Sequence, residues 1–482
     1  MAPSCGRRAG RLPLRAALLT LVTLAAVAQA PAASAASPVP DLLERTVTVD
    51  RVFRHLDVLQ RITDSSGGNR AAGTVGFARS AEYVVDQLTR AGYRVTRQPV
   101  PYQDFAVDAE TGAQLEPVAR PLRVMVMQYS PSTPVGGIDA PVVAAPTQRD
   151  GQPVDAPGCT PEDYAGLPVV GAVVLAPRAS CGFLRQQQIA ADLGAAAFLT
   201  YVPTPSPDNI YRLRVFQSDQ ARIPMGTLSQ RQAEDLAAQS RQGTVRLHLE
   251  LRGHVVHGVT ENILAETWGG DPAHVVMAGA HLDSVPDGPG INDNATAVAV
   301  LLETALRLAP VQGQVRNKVR FAFWGAEELI VVGSQHYVSQ LTDQERRSIA
   351  YYLNFELIAA SNYGTFVMHV ADAPPPGTER IEQAFAGYFI RRGLPYELQD
   401  STRVGSDHEP FLAVGIPVGG LQGAEFSVKT PEQAARYGGT AGQLLDPCYH
   451  QTCDRTSSVN RTALDRHGRA MAWVIGDLAV TG

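Results

Sequence analysis

The chain has 482 residues, of which 45% are hydrophobic and 18% charged, and it carries a net charge of −6. That length exceeds one ordinary domain, and the composition is that of a soluble globular protein with ample core, so two or three domains are expected. The negative balance, with no compensating Lys/Arg cluster, argues against nucleic acid as the main partner.

In chain order, the first segment reads as a secretion signal. Arg7, Arg8, Arg11 and Arg15 precede an apolar run from Ala16 to Ala28, and small residues follow through Ala36. The pattern assigns residues 1–36 to a signal peptide cleaved near Ala33 to Ser37. A membrane anchor is the competing reading, but the run is short of the ~20 residues that span a bilayer. No later segment reads as apolar enough to span, so the mature protein is expected outside the cell and free of the membrane. Cys5 leaves with the signal, and four cysteines remain in two neighbouring pairs, Cys159 with Cys181 and Cys448 with Cys453. An even count in an oxidising compartment suggests two disulfides. Zinc held by these thiols competes, but the pair spacings do not match a structural zinc framework.

From Val49 to about Gln98 the apolar residues Val52, Leu56 and Leu59, then Ala78, Tyr83, Val84 and Leu88, predict helix, loop and helix, with a strand starting near Tyr93. Residues 128–168 are rich in Pro and Gly and show little periodicity. They yield to PVVGAVVLA, a buried strand, then to the helix-like QQQIAADLG and a second strand, AAAFLTY. This is a separate module with no catalytic groups of its own, and a lid or substrate-access role fits it. Beyond Gly258 strands alternate with helices: HVVMAG leads into His281, a helix follows Asp293, VRFAFW ends before Glu327, and YYLNF ends before Glu356. Such alternation predicts an α/β fold with a mostly parallel central sheet covered by helices on both faces. Every candidate ligand then lies at a strand's carboxyl end or in the loop after it, where open α/β sheets bind ligands.

Three distant segments carry the chemistry: AHLDSVPDGPGINDN from Ala280, WGAEE ending at Glu328, and CYHQTCD from Cys448. Their spacing excludes a metal motif on one helix, so His281, Asp293, Glu327, Glu328 and His450 must converge through the fold. Asp283, two residues after His281, is placed to reach the ring's other nitrogen and fix its tautomer. Asp293 reads alone as a helix cap, but beside the other ligands its two oxygens suit a bridge between two cations. Glu327 and Glu328 point apart, so one binds metal while the other moves protons during hydrolysis. Nitrogen and oxygen donors without a ligating thiolate fit zinc best, with manganese or cobalt as alternatives. Asn294 and Asn460 open NXT sequons, and both read as chance matches.

These segments, together with FAFWGAEEL, YLNFELIAA, GSDHEPFLAVGIPVGGLQGAE and DPCYHQTCD, resemble the secreted bacterial co-catalytic zinc aminopeptidases of the leucyl aminopeptidase and aminopeptidase S type. The stretch GAVVLAPRASCGFLRQQQIAADLGAAAFLTYV resembles the protease-associated domain that some of them carry. The resemblance implies a catalytic domain at 46–110 and 251–482 and an inserted smaller β/α domain at 125–245. It implies two zinc ions, with Asp293 bridging, His281 and one carboxylate on one ion, and Glu328 and His450 on the other. Glu327 becomes the general base and acid, and Tyr449 a donor to the oxyanion. The substrates it implies are peptides with free N-termini and apolar first residues, cleaved by a monomer.

Two departures stand out. The family's usual Asp ligand is Glu356 here, one methylene longer, and its usual Gly after GluGluX is Ile330. The Arg often found before SerAsp is replaced by Gly405, with Arg403 two residues earlier. His408 reads as structural rather than ligating. Carboxypeptidase action or N-terminal glutaminyl cyclisation on the same fold, and a binding ectodomain without activity, are the alternatives.

Overall fold

The computed structural model describes Gly10, residues 37–423 and residues 425–481. The predicted signal peptide therefore lies outside the described residues, apart from Gly10. Three helices, α1 (Val39–Thr46), α2 (Val49–Asp64) and α3 (Val75–Arg90), precede the strand β1 (Arg94–Glu116). β1 pairs antiparallel along its length with β2 (Arg246–Glu266), and the intervening chain forms the inserted module. The remaining strands are β3 (Asp271–His281), β4 (Asn317–Trp324), β5 (Ile349–Glu356), β6 (Phe366–His369), β7 (Glu397–Asp400) and β8 (Val418–Gln422). Their spatial order is β7-β6-β8-β5-β3-β4-β2.

β4, β3, β5 and β8 are mutually parallel neighbours, whereas β2 and β6 join them antiparallel. The alternation of side chains explains why both faces are covered. Val276, Ala278 and Ala280 of β3, with Phe321 and Phe323 of β4, face a core completed by helices α1 to α3, α4 (Thr296–Leu308), α5 (Thr378–Arg392) and α6 (Arg461–Val480). Val275, Met277, Trp324 and Tyr352 face a second core on the opposite side, closed by Tyr337, Val338 and Phe411.

Ile291–Gln314, which contains α4, is long and apolar enough to cross a membrane by composition, contrary to the expectation that no segment after the signal would be. Eleven of the thirteen α4 residues are buried in the protein, so the apolarity is that of a helix packed on nearly every side.

The chain leaves β3 for β4 on one side, while β5 leads on to β6, beyond β8, on the other. Connections that part in this way open a crevice between the carboxyl ends of β3 and β5. His281 and Glu356 are the last residues of those two strands.

The inserted module is built on four parallel strands, Ile138–Ala144, Val173–Pro177, Ala197–Tyr201 and Met225–Thr227. Ile138–Ala144 was hidden in the Pro- and Gly-rich stretch, yet Val142 and Val143 are buried. The amino-terminal end of β2 pairs with this strand and its carboxyl end with β4, so one strand belongs to both parts. Cys159 and Cys181 are bonded with Cα atoms 6.0 Å apart, and Cys448 and Cys453 with Cα atoms 5.4 Å apart.

Candidate metal centre

Five of the predicted side chains meet at the carboxyl edge of the sheet. His281 Nε2 lies 3.2 Å from Glu356 Oε1 and 3.3 Å from Asp293 Oδ1. The other oxygen of Asp293 lies 3.2 Å from His450 Nε2, which is 3.1 Å from Glu328 Oε2. The donors thus form two sets, His281–Asp293–Glu356 and Asp293–Glu328–His450, each with its atoms within 4.8 Å of one another. One carboxylate belongs to both sets. Glu328 Oε1 is buried without a hydrogen-bond partner among the described residues, as expected of a donor reserved for a cation. Nitrogen and carboxylate oxygen at this spacing fit divalent metal.

Asp293 does not cap a helix. It sits in a π-type turn, Ile291–Ala295, with φ −108° and ψ 86°, and α4 begins only at Thr296. Its backbone N–H and that of Asn292 donate to the two oxygens of Asp454, at 3.1 and 2.7 Å. The Asn292 amide donates to Asp446 at 2.6 Å, and Asp446 also accepts the Cys448 N–H at 2.9 Å. The disulfide-closed loop that carries His450 is therefore fastened to the turn that carries Asp293.

Asp283 is used differently from the expectation. Its carboxylate lies 3.6 Å from His281 Nδ1, whereas that nitrogen is 3.2 Å from the Asp283 carbonyl. The carboxylate oxygens instead accept the backbone N–H groups of Glu327 and Glu328, at 3.1 and 3.2 Å. Asp283 thus orients the acidic pair through its backbone.

Glu356 is oriented by a buried chain of hydrogen bonds. Trp324 donates to the Tyr352 hydroxyl (2.8 Å), which donates to Asn354 (3.0 Å); the Asn354 amide donates to Ser406 (3.0 Å), and Ser406 donates to Glu356 Oε2 (2.7 Å). The extra methylene is accommodated with one oxygen toward His281 and the other on Ser406. Arg70, fully buried between α2 and α3, donates to the carbonyls of Leu282, Pro289 and Gly290. It shapes the loop between His281 and Asp293 and places a cation under the acidic cluster. Burial lowers it to about 10, against the pull of Asp454, Asp283 and Asp293.

Burial alone would lower His281, but the carboxylates of Glu356 and Glu327 hold it well above its usual range. For His450, Glu328 and Asp293 overcome burial in the same way. Burial pushes Glu327 well up, assisted by the charges of Asp407, Glu356 and Glu328 and opposed by His281. Its Oε2 lies 3.9 Å from His281 Nε2, too far for a hydrogen bond. Tyr449 stacks on the His450 ring, with centroids 3.9 Å apart, and burial raises its hydroxyl so that it stays a donor. Burial lowers His408 to about 4, and its Nε2 pairs with the Ser401 carbonyl at 3.1 Å, which makes it a neutral structural side chain.

Ile330 has φ 70°, and it is followed by Val331 with φ 50°. A left-handed backbone explains why glycine suits this position, since a β-branched side chain is strained there. Asn294 is fully buried and donates to the Phe355 carbonyl at 2.8 Å, which leaves no room for a glycan.

Arg70, Asp446 and Asp454 escaped the sequence reading, as did Glu425, which burial among the site carboxylates pushes up to about 7. Asp454 and Glu425 close two of the motif segments, DPCYHQTCD and GGLQGAE. A lone Arg70 between two helices offers no such signal.

A parallel sheet whose carboxyl edge gathers two donor sets around one aspartate defines a metal-dependent hydrolase. The chain belongs to peptidase family M28: the model described as Peptidase family M28 matches residues 262–475, and that of the PA domain matches residues 138–236. The chain is 38% identical over 450 residues to the Probable lipoprotein aminopeptidase LpqL of Mycobacterium tuberculosis, covering 90% of this chain and 85% of that one. It is 37% identical over 456 residues to an aminopeptidase of Pseudomonas aeruginosa, covering 91% and 82%. The fold is also that of a zinc aminopeptidase from Bacillus subtilis, with a TM-score of 0.67, 20% identity, and coverage of 89% and 94%.

Two outcomes follow from this geometry. Replacing Ile330 with Gly relieves the left-handed strain, and stability rises by about 1 kcal/mol once glycine's own entropy cost is subtracted; urea titration of parent and variant measures it, and a loss of stability contradicts it. The second concerns pH. Burial raises Asp446 to about 6, Glu425 to about 7 and Asp407 to about 8. A raised carboxylate stabilises the fold below its unfolded pKa and loses that contribution as pH rises through the folded one. Chelator-treated protein therefore melts at lower temperature at pH 8 than at pH 5. Added divalent metal reverses the trend, because its ligands must be deprotonated. Thermal melts across that range, with and without metal, test both signs.

Proposed function

We propose that this chain is an exported two-zinc aminopeptidase that removes apolar N-terminal residues from peptides. The observation that carries the reading is the carboxylate of Asp293, with one oxygen toward His281 and the other toward His450. Aminopeptidase activity is in keeping with the names of the relatives matched along nine-tenths of the chain. Zinc is the metal named for the Bacillus subtilis enzyme of the same fold. Export is supported by the amino-terminal pattern, the two disulfides and the lipoprotein name of one relative.

In this reading His281, Asp293 and Glu356 hold one ion, and Asp293, Glu328 and His450 the other. When bound, the ions supply Lewis acidity, which polarises the scissile carbonyl and makes water a better acid. Glu327 accepts the proton of the attacking water and delivers it to the leaving amine, a task suited to a carboxylate whose surroundings raise its proton affinity. The Tyr449 hydroxyl donates to the oxyanion that forms. Asp283, by gripping the amides of Glu327 and Glu328, keeps base and ligand pointed apart. The substrate ammonium is held by the remaining negative charge, from Glu327, Glu356 or Glu425. Leu329, Ile330, Val285 and Pro286 line the adjoining cavity and favour an apolar residue.

The test is Glu327→Gln. The variant keeps its zinc content and loses about 10²–10⁴ in kcat toward leucine p-nitroanilide, and N-acetylation of a peptide substrate abolishes cleavage by the parent enzyme. Hydrolysis by the variant at the parent rate, or cleavage of the blocked peptide, rules the mechanism out.

A further inference from the structure

The cavity that opens on Glu328 and His450 has a volume of about 140 Å³, and Arg212 and Arg214 of the inserted module line it as well. The two arginines are not equivalent. Arg212 is saturated: it donates to both oxygens of Asp287 at 2.7 and 2.9 Å and to both oxygens of Glu110 at 2.8 and 3.0 Å. Two carboxylates share the one cation: Asp287 fastens the module to the loop that follows His281, and Glu110 holds it to β1. Hydrogen bonds from Asn209 to the Pro447 carbonyl (2.9 Å) and from Gln451 to the Ile210 carbonyl (3.0 Å) fasten the same segment to the His450 loop. The wall is thus fixed relative to the metal-ligand candidates.

Arg214 on that wall is less engaged. Its nearest carboxylate oxygen, on Asp104, is 3.9 Å away, beyond hydrogen-bond length, and its guanidinium lies 5.2 Å from the centre of the Tyr129 ring. The Tyr129 hydroxyl draws on one side of this guanidinium, and the remaining N–H donors of its planar fork match a carboxylate. The side chain is only 14% exposed, so a partner that reaches it does so from the cavity, with much of the water excluded.

We propose that Arg214 receives a carboxylate of the bound peptide, so that the enzyme favours peptides carrying one close to the cleaved bond. The carboxylate is either the C-terminal group of a short peptide or an acidic side chain. This inference rests on the aminopeptidase reading and adds a substrate class to it.

Three matched pairs distinguish the sources. Leu-Gly against Leu-Gly-amide reads the C-terminal carboxylate, Leu-Asp-Gly-amide against Leu-Asn-Gly-amide reads the second side chain, and glutamyl against glutaminyl p-nitroanilide reads the first. In the parent enzyme one pair shows about tenfold higher kcat/KM for its carboxylate member, the worth of one charge-assisted hydrogen bond in a partly dry site. In Arg214→Met that ratio falls to near one, and in Arg214→Lys part of it returns. Because each ratio is taken within one preparation, a partly misfolded variant does not distort it. Equal rates within all three pairs, or an unchanged ratio in Arg214→Met, overturn the inference. Absence of cleavage of any of these substrates and of leucine p-nitroanilide overturns the aminopeptidase reading, and this inference falls with it.

Discussion

One carboxylate organises the centre. The two oxygens of Asp293 face imidazole nitrogens that come from segments 169 residues apart in sequence, His281 at the end of β3 and His450 in the disulfide-closed loop. Asp454 grips the turn of Asp293 from the His450 side, while Asn292 reaches back to Asp446. Around this junction the buried negative charge is large, and it is tolerated because Arg70 lies beneath it and two imidazoles stand within it. A centre assembled from so many buried carboxylates is poised for a cation, since mutual repulsion is what a divalent ion relieves.

Much of the fold could be read in the chain. The runs HVVMAG, VRFAFW and YYLNF are mostly apolar, interrupted by His274, Arg320 and Asn354, because both faces of β3, β4 and β5 are largely buried, and their ends placed His281, Glu327 and Glu356 at one edge. The candidate ligand residues were legible because their types and the loops around them form a recognisable pattern. Interactions that depend on backbone geometry were not. Asp293 looked like a helix cap because it precedes a helix, but the π-type turn puts the helix start three residues later and turns the carboxylate toward the histidines. Asp283 looked like a partner of the His281 ring, yet its oxygens meet the amides of Glu327 and Glu328, a contact made across 44 and 45 residues. Ile330 was legible only as a departure from a usual glycine, whereas its positive φ reveals why a side chain there is unfavourable at all.

The inserted module is part of the site's architecture. β2 runs from the module's sheet into the sheet that carries the ligands, and Arg212, Asn209 and Ile210 tie the module to the two loops that border the cavity. The members of both candidate donor sets lie outside this stretch. The sequence does not show that the module brings arginines to the cavity wall, because a charged residue between two strands carries no sign of where it points.

The central claim is that one shared carboxylate organises two metal positions. Metal content of the purified chain, measured by mass spectrometry after zinc loading and dialysis, tests it directly when the parent is compared with Asp293→Ala. The account predicts two zinc equivalents per parent chain and loss of both in the variant. A single equivalent in the parent, or two retained by Asp293→Ala, would contradict it.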